Sequence, residues 1–174
     1  MDTGKGIHLL KRLVVGGLGL GVAVWAGVAG VDNTTRDEAG QITVQGDLGA
    51  FVTQLGDCIN DLPEASPEEI YEVTSVTGVP CDQPHHWQVI HKGEITLEEF
   101  SESGVLRESE DICTAALESI FDSFDDSDID RITAFENAYS NYLFPVAESW
   151  AEGDRTVDCM LGSDEETYTE SFLG

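Results

Sequence analysis

A chain of 174 residues with 34 acidic and eight basic side chains carries a formal charge of −26 at neutral pH. Long-range repulsion opposes its encounter with a phosphate backbone or an anionic lipid surface, which excludes nucleic acid as a partner. The charge is unevenly spread: residues 1–31 hold three bases and one acid, residues 32–174 five bases and 33 acids.

The first twelve residues, MDTGKGIHLLKR, carry Lys5, Lys11 and Arg12 and lead into LVVGGLGLGVAVWAGVAGV, residues 13–31, which has no charge. As a helix rising about 1.5 Å per residue that run reaches roughly 28 Å, close to a bilayer's hydrocarbon thickness. The basic flank places residues 1–12 in the cytoplasm, residues 13–31 in the plasma membrane as one span, and the rest outside the cell. A cleaved signal peptide shares the basic start. The apolar run is long for one, however, and Gly27-Val28-Ala29 departs from an A-x-A cleavage site. Gly17 and Gly21 form a G-x-x-x-G pair, the spacing through which two spans pack as a homodimer.

Residues 32–46 are polar and read as a stalk. A domain is expected over residues 47–162, beginning with LGAFVTQLGDCI, where Phe51 and Leu55 alternate with polar neighbours as in a strand. NDLPEASPEE, residues 60–69, is a loop, and YEVTSVTGVPC alternates valine and threonine up to a stop at Pro80. HHWQVIHKGEI then sets His86, Gln88 and Ile90 on one face of a strand and His85, Trp87, Val89 and His91 on the other. The short Pro-containing link predicts that these two strands pair antiparallel. Thr96 and Glu99 have capping-box spacing and predict a short helix. A longer helix follows from Ser109, with Ile112, Ala116, Ile120 and Phe124 at helical intervals. Residues 128–143 step by three and four through Ile129, Ile132, Phe135, Tyr139 and Tyr142, which favours helix, although YSNYLF also suits a strand. A turn at Pro145, then Trp150, a Gly153-Asp154 turn and a strand with Val157 and Cys159 complete the domain. Residues 163–174 are acidic and read as a mobile tail. The fold class is α+β: a transmembrane helix, then one small domain of antiparallel strands around a central helix.

Cys58, Cys81, Cys113 and Cys159 all lie beyond residue 31, and an even count in an exported chain predicts two disulfides. Three connectivities are open. No C-x-x-C pair suggests redox or zinc chemistry. His85 and His91 are six residues apart, about 20 Å along a strand, and His86 faces the other way, so the three do not form a metal site unaided. Asp126, Asp128 and Asp130 mimic the start of an EF-hand loop, but Arg131 stands where glycine is needed and Asn137 where the bidentate glutamate belongs. There is no G-x-S-x-G, and no free thiol remains once the disulfides form. No metal or cofactor is expected, and no catalytic residue is assigned. An alternative is a cell-wall-active or metal-dependent hydrolase in which His85 or His86 meets Asp57, Asp82 or Asp154; another is an acidic cation-sensing surface domain. His85, Trp87, Trp150, Asp154 and Arg155 are candidates for a structural motif or a partner surface.

These residues have a recognisable order. Gly56-Asp57-Cys58, Val79-Pro80-Cys81 leading into Pro84-His85 and Gln88-Val89, Cys113-Thr114-Ala115-Ala116, and Pro145, Trp150, Gly153-Asp154-Arg155, Val157 and Cys159 resemble the actinobacterial septum-formation family. The resemblance covers residues 46–162. It implies a membrane-anchored extracytoplasmic domain acting with envelope or septal proteins in cell division, without enzymatic activity. It also implies disulfides in chain order, Cys58–Cys81 and Cys113–Cys159. The family's Cys-x-x-Pro-His element is often followed by Glu-Val, and here Gln88 replaces that glutamate.

Overall fold

The longest strand, Trp87–Glu94, is apolar on both faces: Trp87, Val89 and Ile90 are buried, as is Gln88. A strand of that kind belongs at the centre of a sheet with a layer on each side. The computed structural model describes residues 16–20 (backbone only), 31–62, 73–125 and 127–174. Its elements are β1 Gly16–Leu20, β2 Thr35–Arg36, β3 Ile42–Val44, β4 Gly46–Gly49, β5 Cys58–Asn60, β6 Ser75–Val79, β7 Trp87–Glu94, α1 Glu102–Asp122, α2 Ile129–Asn137, β8 Tyr139–Pro145, α3 Ala147–Ala151 and β9 Thr156–Gly162. Seven strands form one sheet in the order β1-β8-β9-β7-β5-β6-β4, and β2 and β3 form a two-stranded sheet. All pairings are antiparallel except β1 with β8.

Alternation along β9 divides the core. Val157, Cys159 and Leu161 face one side, where α1, α2 and α3 supply Val105, Cys113, Leu117, Phe135 and Trp150. Met160 faces the other, with Ile42, Leu48, Ile59, Val76, Trp87 and Val89. The Cys113–Cys159 disulfide bolts α1 to β9, and Cys58–Cys81 ties β5 to the loop after β6. Both bonds follow the chain-order pairing. The α+β class and the antiparallel sheet are present as expected.

Several local expectations are corrected. The two valine-rich strands are not neighbours, because β5 lies between β6 and β7. Cys58 of β5 faces Val79 on one side and Gln88 on the other, so β6 ends at the level where β7 begins. The expected strand through Phe51 and Leu55 is a series of turns between β4 and β5. The helix expected at Thr96 is absent, since both the amide and the hydroxyl of Thr96 bond to Glu108 Oε1 at 2.8 and 2.6 Å. Helix α1 instead starts after Ser101, whose hydroxyl accepts from the Gly104 amide. Residues 128–143 are helix and strand in succession, α2 giving way to β8 at Ala138.

The stalk and the tail both pack on the domain. Asp32 bridges to Leu48, and Ile42 is buried. At the other end Tyr168 pairs with His85 through two backbone hydrogen bonds, and Phe172 is buried against Tyr168. Phe172 gives the acidic segment an apolar anchor. Of the expected span, Gly16–Leu20 forms β1 beside β8, and the rest of residues 13–31 except Val31 lies outside the described residues, including Gly21 of the proposed packing pair. Among the described residues no helix is long and apolar enough to cross a membrane.

Candidate functional site

The element Gly56-Asp57-Cys58 is a turn built around a buried ion pair. Gly56 has φ of 91°, a conformation costly for any residue with a Cβ, and nothing would fill the space beside it. Asp57 is turned inward, where Arg36 of β2 donates to both its oxygens at 2.6 and 2.9 Å and the Gln54 amide adds a third bond at 2.7 Å. Arg36 also donates to Asp32 and to the Gly40 carbonyl. Its hydrogen bonds to Asp57 outweigh the cost of burial and hold the guanidinium far above its ordinary pKa. One arginine thereby fastens the β2–β3 hairpin to the turn that precedes Cys58.

Between that hairpin and the disulfide runs a groove of about 960 Å³. One wall is residues 39–45, around β3, and the other is residues 79–83; Gln54–Cys58 and Gln88 contribute to the floor. The groove exists because β4 and β6 pair only as far as Gly46–Gly78. Beyond that point Pro80, which has no amide hydrogen, stops the ladder, and the chains diverge. Val44 and Leu55, 55% and 60% exposed, are two of the few large apolar side chains open to solvent among the described residues, and both line it.

Gln88, 1% exposed, ties the floor to Ser171 and Phe172. Its amide nitrogen donates to the Gly56 carbonyl at 3.1 Å and to Ser171 Oγ at 2.9 Å, and its oxygen accepts from the Phe172 amide at 2.6 Å. Arg131 donates to the Phe172 carbonyl at 2.9 Å. Ser171, Leu173 and Gly174 therefore close one end of the groove. A carboxylate at residue 88 could accept these bonds but not donate them, so the glutamine has a specific use here.

The residues singled out in the sequence are largely interior. His85 is fully buried; its Nδ1–H donates to the Gln83 carbonyl, and Nε2 has no hydrogen-bond partner among the described residues. Burial, with the neighbouring His86 a smaller cause, pushes its pKa below the ordinary histidine value. His86 sits on another side, its ring nitrogen against the carbonyls of Ser163 and Glu166 in a smaller hollow with Asp61, Asp164 and Glu165. Trp87 is buried in the opposite half of the core. Trp150 stacks edge-on against Phe100 and lies 3.5 Å beneath the Arg155 guanidinium, which donates to the carbonyls of Trp150 and Asp154. Asp154 accepts from the Thr156 amide. Trp150, Asp154 and Arg155 thus form one closed turn, well suited to a structural role.

No hydrogen bond or ion pair joins His85 or His86 to Asp57, Asp82 or Asp154 among the described residues. No three His, Cys, Asp or Glu side chains there are placed to hold a metal ion. Asp128 precedes α2 and pairs with Arg131, while Asp126 lies outside the described residues.

Two groups escaped sequence reasoning. Arg36, Gln54 and Gln88 converge on Gly56-Asp57 from different parts of the chain, and only the departure of Gln88 from the glutamate of the resembled family signalled it. Lys92, Thr53 and Asp158 form a buried polar cluster, with Lys92 Nζ donating to the Thr53 carbonyl and hydroxyl and pairing with Asp158. Burial raises the Asp158 pKa despite the opposing effect of Lys92 and Thr53. Comparison with known proteins finds no matching family model, no matching curated protein and no matching solved structure.

Proposed function

We propose that this protein is a non-enzymatic, single-pass membrane protein of the cell envelope, whose extracytoplasmic domain binds or scaffolds a protein partner in septum formation. The observation that carries the reading is the groove beside Cys58–Cys81: a concave surface of partner-binding size lined by exposed Val44 and Leu55. Its walls are fixed by a disulfide, an arginine–aspartate pair and a glutamine clamp, which limits the ordering cost of binding. Export is supported by the two disulfides and the basic flank before residues 13–31, and the septal role by the order of motifs shared with the septum-formation family.

Anchoring would take Gly16–Leu20 into the bilayer and leave β8 as the outer strand of the sheet. Gly17 and Gly21 would then offer a face for weak self-association of the spans.

A photo-crosslinking residue placed at Leu55 in the full chain, expressed in cells of its own source, tests the reading. A discrete crosslinked envelope protein, absent when the same group replaces exposed Glu136 on the helical side, is the expected result. Equal yields from both positions, or none from either, would remove the groove as a partner surface.

A further inference from the structure

The two walls of the groove are unequal. Residues 79–83 contain Pro80 and, beyond Val79, irregular backbone, whereas β3 is a short strand, bulged at Thr43, whose one pairing partner among the described residues is β2. Strand β4 continues β3 after a single residue and gives its corresponding edge to β6, from Gly46–Gly78 to Gly49–Ser75. Its opposite edge is occupied by the Asp32–Asn33 segment. Traced back into β3, the edge that pairs with β6 becomes the unpaired edge, and it borders the groove. An unpaired strand edge is a row of amides and carbonyls ready to accept another strand.

Charge selects what can lie there. Among the described residues no lysine or arginine lines the groove, while Asp82 is exposed on its wall and Asp37 and Glu38 are exposed in the adjoining hairpin turn. Four of the five cations beyond residue 31 are already engaged internally: Arg36 with Asp57, Lys92 with Asp158, Arg131 with Asp128 and the Phe172 carbonyl, and Arg155 with Trp150. Apolar contact is offered by Val44 and Leu55, which both line the groove.

We propose that the groove receives an extended cationic polypeptide segment of a partner, which adds to β3 as the third strand of the β2–β3 sheet. Main-chain bonds to β3 supply affinity. Alternate side chains supply selectivity, apolar ones meeting Val44 and Leu55 and basic ones facing the acidic surface. This inference rests on the groove being the partner surface and names the chemistry of its occupant.

The test titrates the purified full chain with end-capped Lys-Val-Lys-Val-Lys-Val-Lys and with the same peptide carrying glutamate for lysine. Hydrogen exchange is read over residues 39–49. The expected result is saturable one-to-one binding of the basic peptide alone, with new protection confined to residues 41–45. The Val44→Ser/Leu55→Ser double variant, altered only at exposed side chains, should bind about tenfold more weakly. Equal binding of both peptides, no binding, or salt-labile binding without protection at residues 41–45 would overturn the proposal. Should it fail while crosslinking from Leu55 still captures a discrete partner, the groove stands and only the occupant's chemistry is wrong.

Discussion

Gln88 couples three parts of the chain through one amide group: the Gly56 turn, Ser171 and the Phe172 backbone. Gln88→Glu keeps the shape and removes the donor, leaving a carboxylate at a buried position facing the Gly56 carbonyl. We expect a loss of about 2–4 kcal/mol at pH 7 in urea unfolding, with faster exchange over residues 168–174. Below the acid's raised pKa the protonated form can donate again, so the penalty should shrink as pH falls. His85 follows a related rule. Its pKa is depressed by burial, so the folded state resists protonation that the unfolded chain accepts near pH 6.5. The stability due to neutral His85 is therefore present above pH 6.5 and is lost as pH falls toward the folded-state value. NMR titration should show the His85 ring charging at lower pH than an unfolded-state histidine. A titration midpoint for folded His85 at or above pH 6.5 would contradict this. Gly162 has a steric role: a Cβ there would stand 1.9 Å from the His86 carbonyl oxygen. Gly162→Ala should fail to give a native near-ultraviolet spectrum, because the β7–β9 register has no room for the methyl.

At the scale of elements, the two disulfides differ in what they restrain. Cys58–Cys81 spans 23 residues of sequence and Cys113–Cys159 spans 46. Removing each pair by alanine should cost about 3 and about 4 kcal/mol respectively in reversible unfolding, on the loop-entropy estimate. Loss of Cys58–Cys81 should also loosen the groove wall at residues 79–83, seen as faster exchange there. Strands β6, β7 and β9 were legible because valine, threonine and alternation mark them locally, and α1 from Ser109 onward because its apolar stripe is regular there, whereas its first turns from Glu102 were not. The insertion of β5 between β6 and β7 was not legible. Three residues carry too little pattern, and their placement depends on distant pairing at Cys58. The supposed capping box at Thr96 failed for a similar reason, since Glu108 on the next helix provides its bonds. Of the candidate site, the cysteines were visible as types; the groove was not, because it is a divergence of strands rather than a motif.

Residues 32–174 are strongly acidic, four of their five cations are engaged internally, and the groove beside Cys58–Cys81 carries exposed apolar side chains. The proposed membrane anchor bears on the sheet directly. In membranes, residues 13–31 should resist carbonate extraction, and the β8 amides that face β1 should exchange faster than those facing β9. Extraction into the soluble fraction with β8 fully protected would favour β1 as a permanent strand and remove the anchor. The central claim, that the groove recruits a septal partner, is tested most directly by imaging the intact protein in growing cells of its own source beside the Val44→Asp/Leu55→Asp variant. The expected result is enrichment at division septa for the unaltered chain and uniform envelope staining for a variant of equal abundance. Uniform staining of both, or septal enrichment of both, would contradict it.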